Sequence, residues 1–314
     1  MLFVLIKTYF LIFLGWIMGF LSKKGEELSL YLSKLLVWIL VPLSIVYSIL
    51  NASPSDLQSL WVLLPLIGIL LTNLFISSVY ATKNGMDKPQ KGAIVSTTAF
   101  SNTIFLPLGI FGSLFPSHYP LLSFLAFFLS IIFDIFRAVL LAHYSPRATS
   151  NKKVILAILK YPPLIAMFVS SILWLFGTYK LSSGLSIFFN VIKETSTSLG
   201  LITVGTGVSM CKLNKKWINH SIFVASLRLV FSPTLAGLIV LIIPMTPVEM
   251  TFIMIEAGMP PAAMNVVNAK YFDIDMGLSA TAVMLSTLLL MFSLPFLLLC
   301  VPLTSFGSSH LWIF

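Results

Sequence analysis

The chain has 314 residues, of which nineteen are Lys or Arg and ten are Asp or Glu. That is 9% charged, against about 25% in a soluble domain. Hydrophobic residues make up 58%, and the mean hydropathy is +1.01. This excludes a water-soluble globule, which needs a polar coat. The two cysteines, Cys211 and Cys300, are far apart, which excludes a disulfide scaffold. The formal charge of +9 is no sign of a nucleic-acid partner, because most basic residues sit in short connections between apolar runs.

A helix crosses the hydrocarbon core with about 20 apolar residues. Such stretches occur at 2–21, 31–50, 57–81, 92–113, 120–142, 154–176, 185–210, 218–243, 248–269 and 277–303. Strands of alternating polarity are absent, which argues against a barrel. The first stretch does not read as a cleaved leader, because its basic pair, Lys23 and Lys24, follows the apolar run.

The connections after spans 1, 3, 5 and 7 carry Lys23/Lys24, Lys83/Lys88/Lys91, Arg147/Lys152/Lys153 and Lys212/Lys215/Lys216. Lys270 follows span 9, whereas the connections after spans 2, 4 and 8 carry no basic residue and the one after span 6 only Lys180. Basic connections stay in the cytoplasm. The expected product is a multi-pass protein of the plasma (inner) membrane with both termini outside. The stretch 304–314 has no basic residue, in agreement.

The longest polar connection, 144–153, divides the chain into 1–143 and 154–306, with five spans each. An odd number makes the second half enter from the opposite side, so halves that share a fold are inverted repeats, a common transporter plan. The fourth span of each half is unusual. Span 4 contains Ser101-Asn102-Thr103 and then Pro107, and span 9 contains Glu256-Ala257-Gly258-Met259-Pro260-Pro261 and then Asn265. Proline removes a backbone donor and clashes with the preceding turn, so Pro260-Pro261 should break span 9. Two interrupted helices in matching positions point to a transport site. The candidate binding residues are Ser101, Asn102, Thr103, Pro107, Met259, Pro260, Pro261 and Asn265.

On these residues the chain resembles the auxin efflux carrier family in its short prokaryotic form. The matching stretches are the Asn-Thr step of span 4 with its following Pro, Met259-Pro260-Pro261, Asn268-Ala269-Lys270-Tyr271-Phe272 and Ser279-Ala280-Thr281-Ala282-Val283. Tyr161-Pro162-Pro163, Leu201 to Met210, Arg228 to Pro233 and Leu294-Pro295 add to the likeness. The resemblance implies an all-α polytopic membrane protein with ten transmembrane helices. These form two inverted five-helix repeats, with broken helices 4 and 9 crossing and an elevator-like motion carrying the substrate. It also implies a homodimer as a plausible assembly. Prokaryotic relatives are associated with dicarboxylates such as malate or malonate. Glu256-Ala257-Gly258-Met259 is similar to the Glu-x-Gly-Met of sodium-coupled bile acid symporters, but Pro260-Pro261 stands where that family has Gln-Asn.

A charge inside the bilayer costs about 2.5–3.5 kcal/mol on insertion scales. Glu256 in span 9 is either paired with a base on a neighbouring helix or a coupling site for a proton or sodium ion. Asp134 and Arg137, one turn apart, read as a structural pair along span 5. Arg228 either reaches the inner interface or balances a buried carboxylate, and Lys193 and Glu194 read as interfacial. Gly15, Gly19, Gly205 and Gly207 read as close helix approaches. The positive N-terminal ends of the outgoing half-helices favour a small organic anion. No cofactor, metal site or ATP-binding Walker pattern is expected. His118, His143, His220 and His310 are scattered, so an intramembrane enzyme is disfavoured. A substrate sensor would need a partner domain.

Overall fold

The computed structural model describes residues 2–22, 25–53, 56–146, 159–176, 183–209 and 213–300. Lys23, Lys24, Arg147, Lys152, Lys153, Lys180, Lys212, the side chain of Lys193 and the stretch 304–314 lie outside the described residues. Among the described residues all regular structure is helical, apart from one isolated antiparallel bridge. The helices are α1 (Leu2–Leu21), α2 (Gly25–Leu35), α3 (Val41–Leu50), α4 (Leu63–Lys83), α5 (Lys88–Ala99), α6 (Phe105–Leu114) and α7 (Tyr119–Tyr144). They continue as α8 (Pro162–Leu175), α9 (Ser183–Ser209), α10 (Ile218–Ser226), α11 (Ser232–Ile242), α12 (Pro247–Ala257), α13 (Met264–Phe272) and α14 (Met276–Cys300).

Five stretches among the described residues are long and apolar enough to cross a membrane: Glu27–Leu50, Asp56–Lys83, Pro116–Tyr144, Lys215–Ile242 and Met276–Cys300. Large apolar side chains such as Phe75, Leu241 and Phe292 point outward, more than two-thirds exposed. Water penalises such a surface, whereas lipid matches it.

Prolines shape several helices. The α2–α3 rod passes through a π-helical turn, Leu36–Leu40, just before Pro42, and α10–α11 through another, Leu227–Phe231, just before Pro233. A proline ring collides with the carbonyl four residues back and offers it no N–H. Widening the preceding turn relieves both problems: Val41 and Ser232 instead donate to the carbonyls five residues back, Leu36 and Leu227. Pro295 lies inside α14, and Pro162 and Pro163 open α8, where the first turn tolerates proline.

The helices sort into two packed groups. In one, α1 lies along α9, and α8 lies against α3. Gly15 and Gly205 make the first contact: a Cβ on Gly15 would strike the Ile202 carbonyl oxygen, and one on Gly205 the Ile12 carbonyl oxygen. Backbones meet this closely only where side chains are missing. In the other group α4 packs on α5, α10 on α14, α11 on α12 and α13 on α14. A second apolar cluster, including Met86, Ile94, Leu141, Trp217, Ile274 and Leu278, closes one end of this group. The connections that carry Lys83, Lys88, Lys215, Lys216 and Lys270 border that end, where the Asp275 N–H donates to the Pro89 carbonyl at 3.3 Å.

Candidate functional site

α5 and α12 start alike. Gln90 N–H donates to Asp87 Oδ1 at 2.9 Å and Asp87 N–H returns to Gln90 Oε1 at 3.2 Å. Glu249 N–H donates to Thr246 Oγ1 at 3.3 Å and Thr246 N–H to Glu249 Oε2 at 2.8 Å. Both are capping boxes with a proline in the first turn. The helices then run for 12 and 11 residues and stop. At 1.5 Å per residue each is about 16–18 Å long, roughly half the hydrocarbon thickness.

Past these stops the chain is extended, and the two segments pair with each other. Ser101 and Pro261 form the antiparallel bridge. The Asn102 N–H donates to the Pro260 carbonyl at 2.9 Å, and the Ala262 N–H to the Phe100 carbonyl at 3.2 Å. Asn265 Nδ2 donates to the same Phe100 oxygen at 2.9 Å. α6 and α13 then resume the two paths. The Asp275–Pro89 bond at one end and the stacked rings of Phe111 and Phe252, 5.9 Å apart, show that the broken helices run antiparallel.

The break after Ala257 has a local cause. In an unbroken helix the N–H groups of residues 260 and 261 would bond the carbonyls of Glu256 and Ala257, and both residues are proline. Arg228 takes their place. Its Nη2 donates to Glu256 O (3.5 Å), Ala257 O (3.2 Å) and Met259 O (2.9 Å), and its Nε to Met259 O (3.0 Å). Arg228 is only 2% exposed, at the π-helical turn before Pro233. It caps main-chain carbonyls instead of reaching the interface, and its charge also acts on the buried Glu256 carboxyl, the balancing role expected from the sequence.

Glu256 is 1% exposed, and neither carboxyl oxygen has a protein donor among the described residues. The base considered from the sequence is Arg228, whose charge acts on Glu256 without a direct hydrogen bond, because its donors are spent on carbonyls. A buried carboxyl without donors is costly.

An open cleft of about 70 Å³ adjoins the paired segments. Ser101, Asn102 and Thr103 line it, with Ala262 and Ala263 from the second break and Ser130, Asp134 and Arg137 from α7. Val37, Val41 and Tyr161 close it from the α1–α3, α8, α9 side, so it lies between the two helix groups. Asn102 Oδ1 accepts the Phe105 N–H at 3.0 Å and so caps α6. Pro107, Met259, Pro260, Pro261 and Asn265 are not on the cleft wall. Pro107 is in the first turn of α6, after the break, and Met259 and Asn265 are fully buried in the crossover.

The charged pair on α7 faces the same cleft, which its spacing in the sequence did not indicate. Arg137 Nη1 donates to Asp134 Oδ1 at 2.6 Å, and the Tyr161 hydroxyl also hydrogen-bonds Asp134. A larger hollow of about 770 Å³ between α11 and α14 has Thr234, Ser293 and Cys300 as its polar residues and no charge, so it suits acyl chains better than anions. Among the described residues no His, Cys, Asp or Glu cluster could hold a metal.

Comparison with known proteins places the chain among membrane transporters. A family described as membrane transport protein matches residues 139–298. An uncharacterized transporter of Methanothermobacter thermautotrophicus is 25% identical over 291 residues, 91% of this chain and 93% of that one. An uncharacterized transporter of Methanocaldococcus jannaschii is 27% identical over 139 residues, 44% of this chain and 45% of that one. With the matched region covering about half of its length and including the second broken helix and Arg228, the chain belongs to the membrane transport protein family, that of the auxin efflux carriers.

Proposed function

We propose that the chain is a secondary active transporter of small organic anions, bound where the two broken helices cross. The observation that carries this reading is that α6 and α13 begin at the walls of one cleft, formed by residues 101–105 and 262–264. The N-terminal end of a helix carries about half a positive charge. Two such ends, with hydroxyls and an amide beside them, favour a carboxylate over a cation or a sugar. Dicarboxylates such as malate and malonate are the first candidates.

The chain crosses the membrane ten times as two inverted repeats, 1–143 and 154–306, joined by the cytoplasmic segment 144–153. Three observations support this reading: the matched capping boxes, the matched half-helix lengths and the antiparallel course of α5–α6 and α12–α13. The cleft lies between the helix groups, so sliding one group past the other would carry its contents across, as in an elevator. Glu256 takes the coupling proton or sodium ion. The basic ends face the cytoplasm of the plasma membrane, both termini are outside, and two copies assemble as a homodimer. The reading assigns the protein no enzymatic step.

Proteoliposomes holding the purified chain should exchange labelled malate or malonate, and imposed pH or sodium gradients should alter the rate. Transport of a cation or sugar that is indifferent to every organic anion would refute the reading. Cysteines placed in the connections after spans 2, 4, 6 and 8 should react with an impermeant thiol reagent in whole cells. Labelling of the basic connections instead would reverse the topology.

A further inference from the structure

We propose that Arg137 is the residue that grips the carried anion, accepting a carboxylate on the edge of its guanidinium that Asp134 leaves open. The inference deepens the anion-transport reading and rests on it.

Arg137 is 7% exposed and lines the cleft beside Ser101, Asn102 and Thr103. A guanidinium offers five N–H donors in a plane. Asp134 engages Nη1 alone, through one oxygen. The opposite edge, Nε with Nη2, has no partner among the described residues, and Nε is buried. A buried donor left unpaired costs about 1–3 kcal/mol, so a carboxylate that reaches this edge gains a bond that the described residues do not supply. The Nε–Nη2 edge matches the two oxygens of a carboxylate, which it binds as a fork. The ring of Phe100, with its centroid 5.1 Å from the guanidinium carbon, supports the plane from the crossover side. The site therefore holds its cation in place before a ligand arrives.

Asp134 plays the opposite part. It occupies the same cation with a carboxylate of its own and is in turn held by Tyr161 from the other helix group. An incoming anion meets a neutral pair, not a bare positive charge. This weakens binding and lets the anion leave, as a carrier requires. The cleft, at about 70 Å³, admits a carboxylate head with a short chain. Its hydroxyls on Ser101, Thr103 and Ser130 suit a second oxygen group on that chain.

The roles of the two residues give opposite signs. Malonate, malate and acetate, with malonamide as the neutral control, are titrated against the purified full chain by calorimetry and thermal shift. Wild type should bind a carboxylate and not malonamide. Arg137→Lys keeps the charge but loses the fork, and should weaken that carboxylate at least tenfold. Arg137→Gln should abolish binding, whereas Asp134→Asn should tighten it several-fold. Unchanged affinity in both Arg137 variants overturns the proposal, as does an Asp134→Asn variant that binds as weakly as Arg137→Gln. If wild type binds none of the carboxylates, the anion reading itself fails, a distinct outcome. Phenylglyoxal labelling of wild type covers variants that do not fold. The bound carboxylate should protect Arg137, and equal modification of Arg137 with and without it also overturns the proposal.

Discussion

Replacing Arg228 with Met tests whether the second break is held by a side chain that substitutes for two missing N–H groups. Methionine fills most of the same volume, so the cavity term is small. What is lost is the donor set. The carbonyls of Ala257 and Met259 lose the Arg228 bonds of 3.2, 2.9 and 3.0 Å, while Glu256 O keeps the Met259 N–H at 3.3 Å. Two orphaned buried carbonyls cost about 1–3 kcal/mol each, hence about 2–6 kcal/mol in all. The desolvation of the guanidinium disappears with it, which moves the net loss towards the lower figure. A loss of about 2 kcal/mol lowers the melting temperature by a few degrees in a protein of this size. Thermal unfolding in detergent, followed by reconstituted transport, reads both consequences. Arg228→Lys separates charge from geometry, since its compact ammonium on a differently shaped stem lacks the planar Nε–Nη2 fork that reaches Ala257 O and Met259 O. The lysine variant should recover little stability. A methionine variant as stable and active as wild type refutes the capping role, and full rescue by lysine shows that charge alone matters.

Asn265→Ala removes the bond to Phe100 O that ties the two breaks together. It should cost about 1–2 kcal/mol and stop transport; normal transport would remove Asn265 from the machinery. Glu256→Gln keeps the shape and deletes the ionisable group, so transport should persist weakly or stop and lose its response to pH or sodium. A retained response would end the coupling role. Gly205→Leu should force α1 from α9, because even a Cβ there meets the Ile12 carbonyl, and should lower stability by about 3 kcal/mol or more. Gly184→Ala in the same helix, where a Cβ meets nothing within 4 Å, is the control and should unfold like wild type.

The break in span 9 was legible in the residues, because Pro260 and Pro261 cannot continue a helix in any context. The capping boxes came from the structure, although Asp87-Lys88-Pro89-Gln90 and Thr246-Pro247-Val248-Glu249 carry the spacing that starts a helix. Span 4 is different. Pro107, its one proline, sits in the first turn of α6, where proline is tolerated, and the stop after Ala99 precedes it by several residues. Thr97 and Thr98 bond back to the Ala93 and Ile94 carbonyls at 2.6 and 2.7 Å, which suits a helix as well as its end. What holds the chain extended at Phe100 is the second break, through Ala262 N–H and Asn265 Nδ2.

Composition and hydropathy alone determine that this protein lives in lipid, because nothing else tolerates so few charges on so long a chain. Local chemistry also determines where helices must start and where one must stop. Partnership between distant residues was decided only in three dimensions. Arg228 and Pro260 are 32 positions apart, and Phe100 and Asn265 are 165 apart. The turn of α7 that brings Arg137 to the crossover is the same turn that reads, in isolation, as an ordinary helical ion pair. A periodic pattern records which face of a helix is apolar, but the groups that end up opposite a polar side chain depend on how all the helices pack.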